Sequence, residues 1–337
     1  MFKKLLEWLL RRKKVAAPET VTEHHVTVAD AQNAIDPVVY ELSVEDVEDL
    51  PDELCRTHHV QCVSTSGLHR MAYHEWGDPQ NPRVLLCVHG LTRRGSDFSV
   101  LAKAMSDRYR VICPDVVGRG DSDWLENPML YGIPQYVADM VTLLARLGVA
   151  QVDWLGTSMG GLIGMFLAAQ EHSPIKRMIL NDVGPRIEST ALKRLKDYVG
   201  KPLRFKSKQD GLRYLNEICA PFGDFTAQQW KEFNGPHLVK DGADWRVHYD
   251  PNISKPFAAV TIATAAMGEM MTWKAYDAIK AEMLIVRGAN SDLLSAKTVA
   301  EMCARNPHSR SIEIPGVGHA PAFITPEQVA LVREFFS

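Results

Sequence analysis

One serine in the chain lies in a setting that could make it a nucleophile. Residues 155–162 read LGTSMGGL, so Ser158 has a glycine two places before it and another two places after it. A largely apolar predicted strand at residues 152–155 ends at this motif and a helical pattern follows it, which is the strand, turn and helix context of a nucleophile elbow. Such a sharp turn needs neighbours without side chains, and Gly156 and Gly160 meet that need. The pattern predicts that Ser158 attacks an electrophile.

A serine hydroxyl needs a base that takes its proton and a carboxylate that orients the base. Both follow later in the chain, in the order serine, acid, histidine. We assign the base to His319, which lies in GVGHAP after a predicted strand. Two carboxylates could reach it: Asp292, in RGANSD, and Asp182, in NDVGP. We favour Asp292 because it follows the strand directly before that of the histidine, and we expect Asp182 to hold the start of an insertion.

The negative oxygen formed in such an attack needs hydrogen-bond donors, and two backbone amides are candidates. Met159 follows the nucleophile at a predicted helix start, and Leu91 lies in VHGLT after an earlier strand, where Gly90 lets the chain turn closely. We therefore predict an oxyanion hole made of Leu91 and Met159. We expect His89 to brace this loop rather than act as a base, and Asp115 to organise the loop PDVVGRGD.

Strands and helices alternate over most of the chain, which predicts the α/β fold class with helices on both faces of a mostly parallel sheet. An antiparallel pair at 59–63 and 68–75 precedes the alternation. The predicted strands that follow are 83–88, 109–113, 152–155, 176–181, 283–287 and 311–314, and the predicted helices are 98–105, 134–147, 159–171, 295–306 and one from 326. The alternation stops between about 185 and 271, where helical patches rich in aromatic residues predict a lid.

Length and composition limit the classes of partner and cofactor. The 337 residues carry a formal net charge of −3, so we expect no nucleic-acid partner, because binding to phosphates needs a basic face. The sequence contains no HExxH, no Walker loop and no GxGxxG after a strand. We therefore expect no metal ion and no cofactor. The six cysteines are scattered without metal-ligand spacing, as is typical of reduced thiols in a cytoplasmic protein.

The first 55 residues differ from the rest. Residues 2–14 read FKKLLEWLLRRKK and predict a short basic amphipathic helix. A secretory signal is disfavoured, because Glu7 interrupts the apolar run and four cations follow it. The helix could pack on its own protein, or attach the enzyme to a lipid or polymer surface and make it peripheral there. Residues 19–53 contain eleven acidic residues and no lysine or arginine, which predicts a linker.

The motifs HGLT, GTSMGG, Asp292 and GVGHAP, in this order, make the chain from about residue 58 to its end resemble the α/β-hydrolase superfamily with a helical cap. The resemblance implies a mostly parallel eight-stranded sheet, a cap inserted after strand 6, and a triad of Ser158, His319 and Asp292. It also implies a two-step acyl-enzyme mechanism without a cofactor.

We accordingly divide the chain into four segments. Residues 1–55 form the helix and linker, residues 56–184 and 275–337 the α/β-hydrolase core, and residues 185–274 the cap.

A serine at the elbow argues against epoxide and carbon–halogen cleavage, which relatives with aspartate at that position perform. We expect hydrolysis of carboxylic esters with hydrophobic acyl groups, and a small hydrophobic ester as the substrate. The loops HGLTRRGSDF, PDVVGRGDSDW and NDVGP resemble those of bacterial esterases and hydroxyalkanoate-oligomer or polyester hydrolases. One alternative is a carbon–carbon bond hydrolase, whose substrate carboxylates Arg93 or Arg94 could meet, although we interpret that pair as surface residues. Another is ligand binding without turnover.

Deletion of residues 1–17 tests the surface-attachment hypothesis. We expect the shortened protein to stop co-sedimenting with anionic vesicles or hydrophobic particles and to keep its activity on small soluble esters, because the predicted helix supplies only adhesion. Sedimentation that is unchanged by the deletion would contradict the hypothesis.

Overall fold

The computed structural model describes residues 25–27 and 55–337. The predicted helix at residues 2–14 and nearly all of the predicted linker lie outside the described residues. Among the described helices, none has both the length and the apolar composition that crossing a bilayer requires.

A nine-stranded sheet forms the centre of the protein. Its strands are β1 (His25–Thr27), β2 (Cys55–Ser64), β3 (Gly67–Trp76), β4 (Val84–Val88), β5 (Arg110–Pro114), β6 (Val152–Thr157), β7 (Ile175–Asn181), β11 (Glu282–Gly288) and β12 (Ser309–Ile314). Across the sheet they lie in the order β1-β12-β11-β7-β6-β4-β5-β3-β2. All neighbouring pairs are parallel except those of β3, which runs antiparallel to β2 and β5. The predicted mostly parallel sheet is confirmed, and β1 adds a ninth strand to the expected eight.

The helices follow the strands as the sequence predicts, with ends that differ by a few residues. They are α1 (Ser99–Met105), α2 (Ile133–Leu147), α3 (Met159–Ala168), α4 (Ser189–Tyr198), α5 (Lys208–Cys219), α6 (Ala227–Asn234), α7 (Lys255–Ala258), α8 (Ile262–Asp277), α9 (Ala296–Arg305) and α10 (Pro326–Phe335). Short 3-10 turns are present at Gly95–Phe98, Pro128–Leu130, Ala220–Phe222, Gly235–His237 and Pro251–Ser254.

The inner strands are apolar on both faces because helices cover both faces of the sheet. In β4, Val84, Leu86 and Val88 pack into the core on one face, and Leu85 and Cys87 pack into the core on the other. All five side chains are buried. A continuous apolar run is what a parallel strand with two covered faces requires.

The segment between β7 and β11 breaks this alternation, and we call residues 185–274 the insertion. It contains α4 to α7, most of α8, and a small antiparallel sheet in the order β8-β10-β9, formed by β8 (Arg204–Phe205), β9 (Leu238–Asp241) and β10 (Asp244–Val247). We expected a mostly helical segment and missed these strands, because two to four residues are too few to show an alternating pattern. The predicted boundary at residue 274 falls inside α8, where Trp273 and Tyr276 are buried.

A chain of hydrogen bonds through two buried histidines joins the insertion to the core. The backbone N–H of Gly120 donates to His248 Nδ1 over 2.8 Å, so the proton of a neutral His248 is on Nε2. His248 Nε2 then donates to His237 Nδ1 over 3.0 Å, and His237 Nε2 in turn donates to Asp97 Oδ1 over 2.7 Å. Burial lowers the pKa of His237 and of His248 well below the usual value.

We predict that these neutral histidines make stability depend on pH. As the pH is lowered through about 6.5, these histidines take up protons in the unfolded chain, whereas folded His237 and His248 stay neutral. The free energy of unfolding therefore decreases as the pH is lowered beneath about 6.5, by up to roughly 1.4 kcal/mol per pH unit for each histidine. Burial also lowers the pKa of His89 to about 4, and His89 adds to the loss down to that pH. Urea unfolding at pH 7.5 and 5 measures the slope.

His248→Gln should make that slope shallower, while His59→Gln, which changes an exposed histidine, is the matched control. Equal slopes in wild type and His248→Gln would contradict the prediction.

Candidate active site

Ser158 lies at the sharp turn between β6 and α3. Its φ of 53° and ψ of −114° are unusual for a residue with a side chain. A Cβ on Gly156 would collide with the backbone of Gly160, and a Cβ on Gly160 would collide with the carbonyl oxygen of Val88. Both glycines are therefore required, as the sequence pattern predicts. The backbone N–H of Ser158 donates to the carbonyl of Asn181 over 2.9 Å, which fixes the turn to the end of β7.

His319 reaches the serine from the loop after β12. Its Nε2 lies 3.1 Å from Ser158 Oγ, and its Nδ1 lies 2.6 Å from Asp182 Oδ2. The predicted pairing of Ser158 with His319 is thus present as a hydrogen-bond contact. Only a neutral imidazole with its proton on Nδ1 can accept at Nε2, and a carboxylate at Nδ1 favours that tautomer. The arrangement leaves Nε2 free to take the serine proton.

Asp182 is fully buried at the end of β7 and has a positive φ of 51°. Besides the contact with His319, its Oδ2 accepts from Ser291 Oγ over 2.6 Å and its Oδ1 accepts from the backbone N–H of Gly288 over 2.9 Å. A buried carboxylate needs such donors to remain charged. A Cβ on Gly288 would collide with the carbonyl of Gly318, so glycine lets the end of β11 meet the histidine loop.

The prediction that Asp292 orients His319 is wrong, because Asp182 occupies that position. The side chain of Asp292 accepts two hydrogen bonds from Arg194 of α4 instead, from Nε over 2.7 Å and from Nη2 over 2.9 Å. Burial alone would raise the pKa of Asp292, but the hydrogen bonds and charge of Arg194 lower it. The residue of this loop that faces the buried carboxylate is Ser291. Asp182, which we expected to hold the start of the insertion, is the carboxylate that contacts the imidazole.

The backbone N–H groups of Leu91 and Met159 have no hydrogen-bond partner among the described residues. Met159 is the first residue of α3, directly after Ser158, where the helix dipole favours negative charge. Gly90 lies beside the elbow, since a Cβ on it would lie 3.6 Å from Ser158 Cβ. The positions of both donors fit the predicted oxyanion hole.

Arg119, a residue to which the sequence analysis gave no role, supports these donors. It is fully buried, and its Nε donates to the Leu91 carbonyl over 2.9 Å while Nη2 lies 3.7 Å from Met159 Sδ. His89 braces the same loop as expected: it accepts from the Val116 N–H and contacts the Gly90 carbonyl. An arginine between two glycines, in VVGRGD, was the available signal.

Arg93 and Arg94 are buried, so our interpretation of them as surface residues is wrong. Arg93 makes two hydrogen bonds of 2.7 and 2.8 Å to Asp97. Arg94 bonds Asp115 and Asp121 over 3.3 and 2.7 Å. Asp115 also accepts from two backbone N–H groups, which is the loop-organising role expected of it. The positive charge of each arginine is therefore already compensated by aspartates of the protein, which argues against a role in binding a substrate carboxylate.

A cleft with about 990 Å³ of empty space, solvent at its mouth included, opens over Ser158 and His319. The core contributes the loop at 90–93 and the histidine loop. The insertion contributes mainly apolar and aromatic side chains, namely Leu195, Tyr198, Tyr214, Leu215, Ile218, Phe222, Phe233 and Tyr249. A substrate with an aliphatic body fits such a wall.

Two groups of side chains among the described residues have the types and spacing to hold a metal ion: Cys62, His69 and Asp139; and His74, Asp115 and Asp121. Neither group lines the cleft. In the first, His69 Nε2 already contacts Asp139 over 3.1 Å. In the second, Asp115 fastens loops of the core. The expectation of a site without metal or cofactor remains a prediction.

The chain is similar to known hydrolases over most of its length. The model of the alpha/beta hydrolase family matches residues 85–331. A 3-hydroxybutyrate-oligomer hydrolase of Cupriavidus necator is 54% identical over 286 residues, which cover 84% of this chain and 98% of that protein. Among solved structures, an alpha/beta hydrolase from Novosphingobium aromaticivorans matches with a TM-score of 0.74, 34% identity and coverage of 84% and 98%. A putative hydrolase from Rickettsia typhi matches with a TM-score of 0.76, 29% identity and the same coverage.

Matched substitutions can distinguish the role of Asp182 from that of Asp292. We predict that Asp182→Asn lowers kcat for p-nitrophenyl butyrate by about 10³- to 10⁴-fold, because an amide at this place favours the wrong tautomer of His319. Asp292→Asn should change the same kcat by less than about threefold, because Asp292 bonds Arg194 rather than the imidazole. A larger loss in Asp292→Asn than in Asp182→Asn would contradict this assignment.

Proposed function

Because the chain belongs to the alpha/beta hydrolase family, we propose that it is a serine ester hydrolase that cleaves oligomers of 3-hydroxybutyrate or closely related hydroxyalkanoates through an acyl-enzyme. The observation that carries the chemistry is the chain of hydrogen bonds from Ser158 Oγ through His319 to the buried carboxylate of Asp182. The substrate class is supported by the relative at 54% identity and by the apolar wall of the cleft.

In the first half of the reaction, Ser158 Oγ attacks the ester carbonyl and its proton passes to His319 Nε2. The carbonyl oxygen becomes negative and accepts from the Leu91 and Met159 N–H groups, which no other described group occupies. Asp182 stabilises the imidazolium, since its Oδ2 lies 2.6 Å from Nδ1. The tetrahedral intermediate then collapses, and the imidazolium protonates the departing alcohol oxygen.

In the second half, a water molecule takes the place of the alcohol. His319 removes a proton from this water, which attacks the acyl carbon, and the same proton returns to Ser158 Oγ when the acid leaves. The insertion acts as a cap in both halves, because its aromatic side chains line the same cleft as Ser158 and limit access of bulk water.

We expect a stoichiometric burst of p-nitrophenol in the pre-steady-state hydrolysis of p-nitrophenyl butyrate, because acylation releases the alcohol before water completes the cycle. Ser158→Ala should show neither burst nor turnover above about 10⁻³ of wild type. A linear dimer and trimer of 3-hydroxybutyrate should be cleaved by wild type, with the products followed by liquid chromatography. Equal rates in wild type and Ser158→Ala would refute the mechanism, and turnover of p-nitrophenyl butyrate alone would refute the substrate class.

A further inference from the structure

The charges of the cleft are nearly all compensated within the protein. Its wall contains two arginines, Arg93 and Arg194, and one carboxylate, Asp97. Asp97 bonds both Arg93 and His237. The histidines of the insertion that line the wall are neutral, since burial holds their pKa values well below the usual one. Only the two arginines could therefore offer a positive charge to a bound ligand.

All three guanidinium nitrogens of Arg93 already have hydrogen-bond partners. Its Nε and Nη2 bond Asp97, and its Nη1 bonds Asn234 over 2.9 Å. Its guanidinium carbon lies 4.2 Å from the ring centre of Phe233 and 5.6 Å from that of Phe222. Arg93 is therefore a structural cation that ties the insertion to the core.

Arg194 differs in where its counter-ion lies. Arg194 lines the cleft, whereas its partner Asp292 does not. The ion pair uses Nε and Nη2 of the guanidinium, so the second terminal nitrogen, Nη1, takes no part in it. About a third of the Arg194 side chain is exposed, at 33%. One turn further along α4, Tyr198 also lines the cleft, and its phenol interacts with Arg194.

We propose that Arg194, with the Tyr198 hydroxyl beside it, binds the free carboxylate at the acid end of the hydroxyalkanoate oligomer. This assignment rests on the proposed function and names the feature by which the enzyme selects charged oligomers over neutral esters. A planar guanidinium held from behind by Asp292 is oriented in advance, so little side-chain entropy is lost when a second carboxylate arrives. Asp292 competes electrostatically for the same cation and so moderates the affinity.

The test compares the linear 3-hydroxybutyrate dimer with its methyl ester, which lacks the charge and keeps the internal ester bond. Cleavage of that internal bond is followed by liquid chromatography for both. The readout is the kcat/KM for the acid divided by the kcat/KM for the methyl ester. Arg194→Gln should lower this ratio by about 10- to 100-fold, mainly through KM for the acid, as expected for loss of a charge-assisted hydrogen bond.

Asp292→Asn should move the ratio in the opposite direction, by about two- to tenfold, because it leaves Arg194 in place and removes its counter-ion. A purely structural role of the ion pair predicts instead that both variants lose activity on both substrates alike. Arg186→Gln is the matched control: Arg186 bonds Glu269 and Glu301 over 2.8 and 2.9 Å away from the cleft, and its ratio should equal that of wild type.

Equal ratios in wild type, Arg194→Gln and Asp292→Asn would overturn the carboxylate assignment while the proposed function stands. Wild type that turns over p-nitrophenyl butyrate but neither form of the dimer would overturn the proposed substrate class, and with it this assignment.

Discussion

The buried charge of Asp182 is the constraint on which the site depends. A carboxylate with no exposed surface is stable only if donors surround it. Here three residues at two strand ends contact it: His319 after β12, and Ser291 and Gly288 at the end of β11. The carboxylate itself follows β7. The carboxylate of Asp182 thus connects the carboxyl ends of β7, β11 and β12. These contacts fix the His319 imidazole relative to Ser158 before any substrate arrives. Preorganisation of this kind lowers the cost of reaching the transition state.

Local patterns in the sequence pointed to Ser158 as the candidate nucleophile, because a strand, a sharp glycine turn and a helix leave a signature within about ten residues. The candidate base, His319, and the candidate amide donor Leu91 lie in glycine-containing loops that follow predicted strands. The acid could not be found in this way. Which of two neighbouring loop residues faces inward depends on distant partners: Ser291 bonds Asp182, 109 positions away, and Asp292 bonds Arg194, 98 positions away. Choosing the acid by the strand that usually carries it could not show that Ser291, and not Asp292, is the residue of this loop that faces inward.

The alternation of strands and helices was equally visible, because strands covered on both faces are continuously apolar. The structure inside the insertion could not be predicted from the sequence in the same way. Its strands have two to four residues, and its attachment relies on polar groups that only the tertiary structure brings together. Arg93 illustrates this, since its partner Asn234 is 141 positions away. A pair of arginines in a loop is usually exposed, so the sequence favoured the wrong environment for both Arg93 and Arg94.

The ninth strand, β1, pairs in parallel with residues 311–313 of β12. Without it, β12 would be an edge strand that presents unpaired N–H and C=O groups to solvent. Such an edge is a template on which another chain can add a strand, and proteins commonly cover it with a short segment of their own. A three-residue strand from the far amino-terminal side of the chain therefore acts here as a guard against edge-to-edge aggregation.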